Sequence, residues 1–189
     1  MLPPVPSDDA ALWQQVRQGD EAAFGRLYRQ HAAALFRFAV RLTGSAAVAE
    51  DVLQEVFVAL IDAAVPRGGA GYDPGRGPLR SYLFGAVRNE ARKRLREGVV
   101  MRATAETVRV GQRTDDDRQA LTAALAQLEP DFREVVLLCE LEGLRYEEAA
   151  AALEIPVGTV RSRLSRARAR LAATLSDEPS TANVRKEAR

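Results

Sequence analysis

The sequence is poor in the residues that build metal and redox sites. It has one cysteine, Cys139, and one histidine, His31, among 189 residues. A disulfide within the chain needs two cysteines, and a structural zinc site needs four ligands that are usually cysteine and histidine. We therefore predict no metal site. Helical spacing places Cys139, His31 and the single tryptophan, Trp13, among packed side chains, so we assign all three structural roles.

Long hydrophobic runs and common catalytic motifs are also missing. No apolar segment approaches the roughly 20 residues that span a bilayer, and residues 1–7 lack the basic start and apolar stretch of a signal peptide. The sequence has no glycine-rich nucleotide-binding loop and no Ser/His/Asp or Cys/His arrangement. We expect a cytoplasmic protein without membrane contact, cofactor or enzymatic activity of its own.

Charge is present in both signs but is segregated along the chain, although the net charge is only +1. Residues 50–62 carry four acids and no base, whereas residues 156–170 carry five arginines and no acid. Residues 80–96 carry six bases against one acid. Such segregation produces separate acidic and basic surfaces and indicates at least two kinds of partner.

The hydrophobic pattern is helical along almost the whole chain, which predicts an all-α fold. Asp20 and Ser45 are expected to cap helix N-termini, and Gly44 to end a helix in the left-handed conformation. The predicted helices cover residues 8–18, 21–43, 46–65, 79–97, 118–128, 131–141, 145–153 and 158–175.

These helices are expected to form two small domains joined by a flexible linker. The predicted units are a helical bundle at residues 7–97, a linker at 98–117, a helix-turn-helix domain at 118–175 and a polar tail at 176–189. Within the first domain, residues 66–78 hold five glycines and three prolines and are predicted to form a loop.

Residues 146–171 have the pattern of a helix-turn-helix, whose second helix enters the major groove of DNA. On a helical wheel, an apolar stripe from Val160 to Leu175 faces inward, whereas Ser162, Ser165 and Arg166 face outward. The remaining arginines flank this outward face, which places them to hold phosphates while the centre meets base edges. A solvated basic surface helix is the alternative interpretation.

The predicted helix at residues 79–97 has a second basic face. Its outward residues are Tyr82, Gly85, Arg88, Asn89, Arg92 and Arg96, and its inward residues are Leu83, Phe84, Val87, Ala91 and Leu95. An aromatic ring beside cations suits single-stranded nucleic acid, and a glycine lets a strand approach closely. The preceding loop is a candidate pocket for an unstacked base. Alternatively, Tyr82 is a half-buried core residue.

The acidic segment is predicted to form a helix with an unusual outward face. This face combines Glu50, Asp51, Gln54, Glu55 and Asp62 with two aliphatic residues, Val58 and Ile61. Exposed aliphatic side chains within an acidic face indicate a protein partner with basic residues, and the negative charge would repel DNA.

Two of these segments resemble conserved motifs of the sigma-70 family of RNA polymerase sigma factors. Residues 49–57, AEDVLQEVF, resemble the family's polymerase-binding helix, and residues 143–171, which contain YEEAA and PVGTVRSRL, resemble its fourth conserved region. The resemblance extends over about residues 20–175. Two domains around a short linker, without the middle domain of the housekeeping factors, resemble the extracytoplasmic-function (ECF) subfamily.

The resemblance implies a role for each surface. Core RNA polymerase would be bound through its β′ clamp, with the β flap as a second contact, and the linker would run toward the RNA exit path. The β′ clamp would contact Glu50, Asp51, Gln54, Glu55, Val58 and Ile61. The minus-10 promoter DNA would contact Tyr72, Asp73, Arg76, Arg80, Tyr82, Arg88, Asn89, Arg92 and Arg96. The minus-35 DNA would contact Arg145, Thr159, Arg161, Ser162, Arg163, Ser165 and Arg166.

The chain departs from the family pattern in the segment assigned to minus-10 DNA. Family members often carry tryptophan at the position of Tyr82 and usually a larger residue at that of Gly85, and the loop at residues 72–80 is unusually rich in glycine and proline. The base preference of the family at minus-10 is therefore not transferred to this chain.

We predict a dissociable polymerase subunit that directs promoter-specific transcription initiation by recognising minus-35 and minus-10 elements. An anti-sigma factor is an expected further partner, because members of the subfamily are commonly held inactive by one. Two alternatives remain: a stand-alone helix-turn-helix transcriptional regulator, and a protein that mimics a sigma factor in order to titrate a binding partner.

Overall fold

The computed structural model describes residues 9–64, 71–98 and 115–177, with side chains in the last range from residue 120 to 176. These residues form eight α-helices and no strand, which confirms the all-α prediction. The helices are α1 Asp9–Arg17, α2 Glu21–Thr43, α3 Ala46–Ala64, α4 Leu79–Arg96, α5 Asp115–Gln127, α6 Pro130–Val136, α7 Tyr146–Leu153 and α8 Val157–Asp177. A 3₁₀ turn, Pro74–Arg76, precedes α4, and a π-helical turn, Leu137–Leu141, follows α6.

The predicted capping residues set the ends of α2 and the start of α3. Asp20 Oδ1 accepts hydrogen bonds from the backbone N–H groups of Ala22 at 2.8 Å and Ala23 at 3.0 Å. Gly44 ends α2 at φ 73°, in the left-handed region that favours glycine. Ser45 Oγ accepts from a backbone N–H in the first turn of α3 at 3.4 Å. Local sequence therefore fixes the corner between these helices.

Helices α1 to α4 form a bundle in which α2 contacts each of the other three. Its largest fully buried side chains include Trp13, Leu27, Phe38, Leu60 and Phe84. Burial of each such side chain stabilises the fold by about 1.5–3 kcal/mol. This apolar core holds α3 and α4 with their polar faces turned outward.

A buried polar pair links α1 to α2. His31 Nε2 lies 3.0 Å from Asp9 Oδ1, and both side chains are almost fully buried. The side-chain amide of Gln30 donates to the same oxygen of Asp9 at 2.9 Å. His31 and Trp13 are thus packed residues, as their helical spacing predicts.

Helices α5 to α8 form the second domain, in which α8 contacts α5, α6 and α7. The predicted helix at residues 131–141 is interrupted by the π-helical turn, where the backbone N–H of Glu142 donates to the carbonyl of Leu137 at 2.9 Å. Residues 135–138 before and within this turn are all apolar, so the sequence has no periodicity there that would reveal a change in winding. None of the described helices is both long and apolar enough to cross a membrane.

Several predicted boundaries and buried positions differ from the structure. Helix α5 begins at Asp115, inside the predicted linker, and α8 continues to Asp177. Leu95 and Leu175, both predicted to face a core, are 43% and 41% exposed, because the burial of each helix's apolar stripe ends before its last turn. The rest of the predicted linker, residues 99–114, and the tail from residue 178 lie outside the described residues.

The two domains pack against each other. Helix α4 of the first domain contacts α7 of the second, and the buried apolar residues of both domains form one contiguous cluster. The sequence predicts two domains on a flexible linker and does not signal this contact. Its consequence is that the basic face of α4 meets protein.

Candidate nucleic-acid interfaces

The acidic face of α3 is exposed as the sequence predicts. We use this name for Glu50, Asp51, Gln54, Glu55, Val58 and Ile61, all of which are exposed. Val58 is 50% exposed and Ile61 41% exposed, although both are aliphatic. The opposite face of the helix is buried, so the helix itself is fixed in orientation. The arrangement offers apolar contact area ringed by negative charge.

An apolar groove lies beside the acidic face, between α2 and α3. Its volume is about 690 Å³, and its walls include Phe24, Tyr28, Phe36, Val58 and Ile61. Tyr28 is 45% exposed, whereas its position in the apolar stripe of α2 predicts burial. The apolar residues of α2 cover a wider part of the helix surface than one packing face needs. This width is the feature of the sequence that indicates an exposed apolar surface on α2.

One arginine lies at the edge of the acidic face. Arg94 of α4 donates to Glu55 Oε1 at 2.7 Å and to Glu90 Oε1 at 3.1 Å. The hydrogen bond that Arg94 donates to Glu90 and the nearby charges of Glu55, Glu90 and Asp51 raise the pKa of Arg94. Glu55 therefore has an internal partner that a docking protein would have to share or replace.

The outward face of α8 is open, as predicted for a recognition helix. Ser162, Ser165 and Arg166 are exposed, and Val160 and Leu164 on the opposite side are fully buried. Helix α7 packs against α8 and is joined to it by a tight turn in which Glu154 takes a left-handed conformation, with φ 56°. This is the helix-turn-helix geometry that presents a second helix to the major groove.

Two arginines that flank this face have partners within the domain. Arg163 Nη2 lies 2.6 Å from Asp131 Oδ2, and the guanidinium carbon of Arg161 lies 5.8 Å from the centroid of the Tyr146 ring. The hydroxyl of Ser162 donates to the carbonyl of Thr159 at 3.1 Å. These contacts orient the side chains before any DNA is bound.

Arg145 lies at the N-terminus of α7. Its backbone N–H donates to Glu148 Oε2 at 2.8 Å, and its side chain pairs with Glu148 Oε1 at 3.3 Å. The arginine side chain is 62% exposed. The structure thus brings Arg145 to the helix-turn-helix in an accessible position, and Glu148 caps the helix as its place in the first turn predicts.

The loop before α4 has a defined shape. Asp73 Oδ1 accepts from the backbone N–H of Gly75 at 2.9 Å and begins the 3₁₀ turn. Gly77 has φ 144°, a conformation that L side chains rarely adopt. Arg76 is exposed at the end of the turn. The glycines and prolines therefore encode one turn, and Asp73 shapes it while remaining at the surface.

Tyr72, assigned to minus-10 DNA, is buried in the first domain. It is 9% exposed, its hydroxyl donates to the carbonyl of Gly77 at 3.0 Å, and its ring centroid lies 5.6 Å from those of Trp13 and Tyr82. Burial, and then the charge of Asp9, raise its pKa. In this structure Tyr72 is therefore not presented at the surface for direct contact with DNA, because its ring packs beneath the loop and its hydroxyl binds the loop backbone.

Tyr82 is half-buried against Tyr72 rather than free on the surface. Burial raises the pKa of its hydroxyl. Of the interpretations open for this residue, the half-buried core tyrosine describes its surroundings in the structure. Asn89 and Arg96, further along the same face of α4, are exposed.

Two arginines on the basic face of α4 are bound by one carboxylate of α6. Glu134 accepts from Arg88 Nε at 2.7 Å and from Arg92 Nε at 2.7 Å. Arg92 also donates to Asp131 at 3.0 Å. Burial alone would lower the pKa of Arg92, but its hydrogen bonds to Glu134 and Asp131 and their charges outweigh burial and raise it. These two arginines are therefore not exposed to solvent in the way that the wheel predicts.

A second acid of the C-terminal domain, Glu142, binds arginines of the first domain. Its carboxylate accepts from Arg41 at 2.7 Å and from Arg37 at 3.1 Å. Its backbone carbonyl accepts from Arg80, another residue assigned to minus-10 DNA. The carboxylate of Glu142 is 1% exposed.

Gly85 lies where α4 and α7 approach each other closely. A Cβ atom added to it would lie 3.0 Å from the carbonyl oxygen of Ala152 in α7. The glycine therefore does allow a close approach, but in this structure the approaching chain is protein and not nucleic acid.

Four residues that join the two domains were not identified from the sequence, namely Glu134, Glu142, Arg37 and Arg41. The signal for Glu134 was an acid followed directly by four apolar residues, 135–138. A buried carboxylate needs a partner, but the sequence does not say which arginine, 40 or 100 residues away, supplies it.

The single thiol shows no features of a reactive site. Burial, and then the charge of Glu140, raise the pKa of Cys139 to about 11. In the described part of the chain, no group of three or more His, Cys, Asp or Glu side chains is arranged to hold a metal ion.

Comparison with known families matches both domains. Residues 27–98 match the model of sigma-70 region 2, and residues 118–171 match that of sigma-70 region 4. A stand-alone helix-turn-helix regulator would account only for the second match, so this alternative does not describe the whole chain.

Curated relatives carry the same two regions in one protein. The chain is 38% identical to the ECF RNA polymerase sigma factor SigE of Mycolicibacterium smegmatis over 166 residues, which are 81% of this chain and 63% of that protein. It is also 38% identical to the ECF sigma factor SigL of Mycobacterium tuberculosis over 167 residues, which are 83% of this chain and 92% of that protein.

Solved structures agree in fold. CnrH, in complex with the cytosolic domain of CnrY, has a TM-score of 0.71 and 31% identity and covers 92% of this chain and 100% of its own. The sigma factor RpoE of Bartonella quintana, in complex with the anti-sigma factor NepR, has a TM-score of 0.63 and 28% identity, with 82% and 98% coverage. The chain therefore belongs to the extracytoplasmic-function subfamily of the sigma-70 family, whose members are RNA polymerase sigma factors that act in promoter-specific transcription initiation.

Proposed function

We propose that three separate surfaces divide the work of this sigma factor. The acidic face of α3 binds the β′ clamp of core RNA polymerase, α8 contacts the minus-35 element, and the loop before α4 together with the basic face of α4 contacts the minus-10 strand. The β flap contacts the C-terminal domain. The protein acts without a reaction of its own and in the cytoplasm, where polymerase and chromosome are found.

The observation that carries the docking assignment is the combination of charge and exposed apolar area on α3. Val58 and Ile61 are exposed beside the carboxylates of Asp51 and Glu55 and at the rim of the apolar groove. An interface of this kind gains affinity from apolar burial at its centre, while charge selects a basic partner and speeds the encounter. The same negative charge turns this surface away from promoter DNA.

For minus-35 DNA, we propose that Ser162, Ser165 and Arg166 meet base edges. Arg145, Arg161 and Arg163 border this face, and their guanidinium groups suit phosphate contacts on either side of the groove. Thr159 lies in the first turn of α8, where a hydroxyl and the N-terminal end of the helix favour a phosphate.

For minus-10 DNA, we propose two kinds of role for the assigned residues. Arg76 and Asn89 are exposed and are proposed as direct contacts, with Arg96 further along α4. Tyr72 and Asp73 are proposed to act by shaping the loop, because their polar atoms bind loop backbone groups.

An anti-sigma factor is a proposed partner. CnrH and RpoE, the two solved relatives described above, were each determined in complex with another protein, and for RpoE that protein is an anti-sigma factor. The apolar groove between α2 and α3 is of the kind that accepts the apolar side of a helix. The proposed domain limits stay at residues 7–97 and 118–175.

The docking proposal is tested with Asp51→Arg combined with Glu55→Arg. Reversing two charges against a basic partner is expected to weaken binding to core polymerase about 100-fold, or about 2.7 kcal/mol. Binding is measured by fluorescence anisotropy with labelled sigma factor, and initiation by in vitro transcription on genomic templates.

The matched control is Glu21→Arg, which reverses an exposed acid at the start of α2, away from the acidic face. Its affinity for core polymerase is expected to stay within a factor of about three of the wild type. Unchanged core binding by the double variant, with circular dichroism showing an intact fold, would refute the docking assignment. No promoter-directed initiation by the wild type on any template would instead favour a sigma mimic.

A further inference from the structure

Groups of the C-terminal domain occupy arginines that were assigned to minus-10 DNA. Three residues assigned to minus-10 DNA, Arg80, Arg88 and Arg92, donate to groups of the C-terminal domain. The acceptors are the carbonyl of Glu142 and the carboxylate of Glu134. Each of these donors would be needed by strand phosphates in the DNA-bound state.

Glu134 accepts three hydrogen bonds from the two α4 arginines, one from Arg88 and two from Arg92. Its side chain is 4% exposed and that of Arg88 is 12% exposed, so these charges are removed from water and paired. Arg92 binds both carboxylate oxygens, through Nε to Oε1 at 2.7 Å and Nη2 to Oε2 at 2.9 Å. Charge-assisted, two-point bonds of this kind resemble those that arginine makes to phosphate.

Glu142 fastens the same domain contact from a second side. Its buried carboxylate joins Arg37 and Arg41 of α2, neither of which is assigned to DNA. The contact is therefore held at two carboxylates, Glu134 within α6 and Glu142 directly after the π-helical turn. Gly85 additionally lets α7 approach α4.

We propose that Glu134 and Glu142 hold the free sigma factor in a closed state in which their carboxylate and carbonyl groups occupy the minus-10 arginines in place of DNA phosphates. This inference rests on the proposed minus-10 function of α4. In the closed state the outward face of α8 stays exposed, while α4 becomes available to single-stranded DNA only after the domains separate. Free protein therefore binds the minus-10 strand weakly, and separation of the domains precedes promoter melting.

The size of the effect follows from the population of open molecules. If only a fraction of the molecules can bind the ligand, the apparent affinity is the intrinsic affinity multiplied by that fraction. If fewer than about one free molecule in ten is open, releasing the contact raises the affinity for single-stranded DNA at least tenfold.

The test uses the full chain with Glu134→Gln and Glu142→Gln combined, which removes both negative charges and keeps the shape of the side chains. Two quantities are measured: the radius of gyration by small-angle X-ray scattering, and the affinity for a fluorescein-labelled 12-nucleotide single-stranded DNA by anisotropy. We expect an increase in the radius of gyration above that of the wild type and an affinity at least tenfold higher.

The matched control is Glu140→Gln. Glu140 is an exposed acid in the π-helical turn whose ion pair, with Arg168, stays within the C-terminal domain. The Glu140→Gln variant also loses one negative charge, so it reports the general effect of charge on DNA binding. We expect an affinity within a factor of about two of the wild type and an unchanged radius of gyration.

A second variant guards against failure of the first to fold. Arg37→Ala with Arg41→Ala releases Glu142 from the side of α2 and leaves all proposed DNA contacts in place. It removes two positive charges, which by itself would weaken DNA binding. A rise in affinity in spite of that loss supports the closed state.

The inference is overturned if both variants keep the wild-type radius of gyration, or if the domains separate and the affinity for single-stranded DNA does not rise in either variant. Adding Arg88→Ala and Arg92→Ala to the Gln variant distinguishes this failure from failure of the proposed function. If the domains separate and the added changes leave DNA binding unaltered, the minus-10 assignment of α4 is wrong.

Discussion

Gly85 offers a test of the domain contact that leaves every charge in place. The glycine lies in the middle of α4, and an added Cβ would meet the carbonyl oxygen of Ala152 at 3.0 Å and its Cα at 3.5 Å. A contact of 3.0 Å with a backbone oxygen requires α7 to move by a few tenths of an ångström. We therefore expect substitution at Gly85 to weaken the packing of the two domains.

The control is a second mid-helix glycine, Gly25 of α2, where the nearest atom to an added Cβ is the flexible end of the Arg29 side chain at 3.4 Å. Replacing a mid-helix glycine with alanine stabilises a helix by about 0.5–1 kcal/mol. Gly25→Ala should therefore raise the melting temperature by about 1–4 °C. At Gly85 the same gain is opposed by an overpacking cost of about 1–3 kcal/mol, so Gly85→Ala should give no increase.

Gly85→Leu extends the test from stability to domain arrangement. Leucine places further carbon atoms beyond the Cβ, in the space that the backbone of α7 occupies, so the contact cannot be kept by a small shift. Thermal unfolding followed by circular dichroism measures the first pair of variants, and small-angle X-ray scattering measures the leucine variant. A compact chain of this length has a radius of gyration of about 16 Å, and we expect a larger value for Gly85→Leu.

Equal stabilisation by Gly25→Ala and Gly85→Ala, together with an unchanged radius of gyration for Gly85→Leu, would refute this reasoning. It would mean that α4 and α7 do not touch in solution. The ion pairs of Glu134 with Arg88 and Arg92 would then also lack the packing that shields them from solvent.

Two further predictions concern single residues. Asp20→Ala removes the side chain that caps α2 and should lower stability by about 1 kcal/mol, a loss measured by urea unfolding; Asp20→Asn, which keeps an acceptor oxygen, should recover most of it, and equal losses for both variants would argue against capping. Cys139, whose pKa is raised to about 11, should react with a disulfide reagent at pH 8 about 100-fold more slowly in the folded protein than in urea, because only the thiolate reacts; equal rates would show that the thiol is not buried.

Most of the helical elements could be predicted from the sequence. The caps at Asp20, Gly44 and Ser45 and the exposed side of α8 all depend on residues within one or two turns of each other. Such local signals survive in any tertiary arrangement, which is why these predictions agree with the structure. The π-helical turn was not predicted because the residues around it, 135–138, are all apolar and show no periodicity.

The candidate sites were predicted unevenly for the same reason. The acidic face needed only the residues of α3, and its exposed Val58 and Ile61 are visible on a helical wheel. The outward face of α4 was also correctly predicted to be polar. A helical wheel, however, cannot distinguish a polar face that meets water from one that meets a carboxylate of another domain. The burial of Tyr72 could not be predicted for the same reason, since it depends on α1 through Trp13.

The sequence by itself determined the helices, the separation of acidic from basic surfaces and the helix-turn-helix, because each arises from the spacing of residues along one segment. Only the tertiary structure decided what the basic face of α4 touches. Arg88 and Glu134 are 46 residues apart, and Arg41 and Glu142 are 101 residues apart. Pairing over such distances depends on how two domains come to rest against each other, and on whether burial of both charges is offset by the bonds between them. The spacing of residues along one segment predicts neither the arrangement of the two domains nor this energy balance.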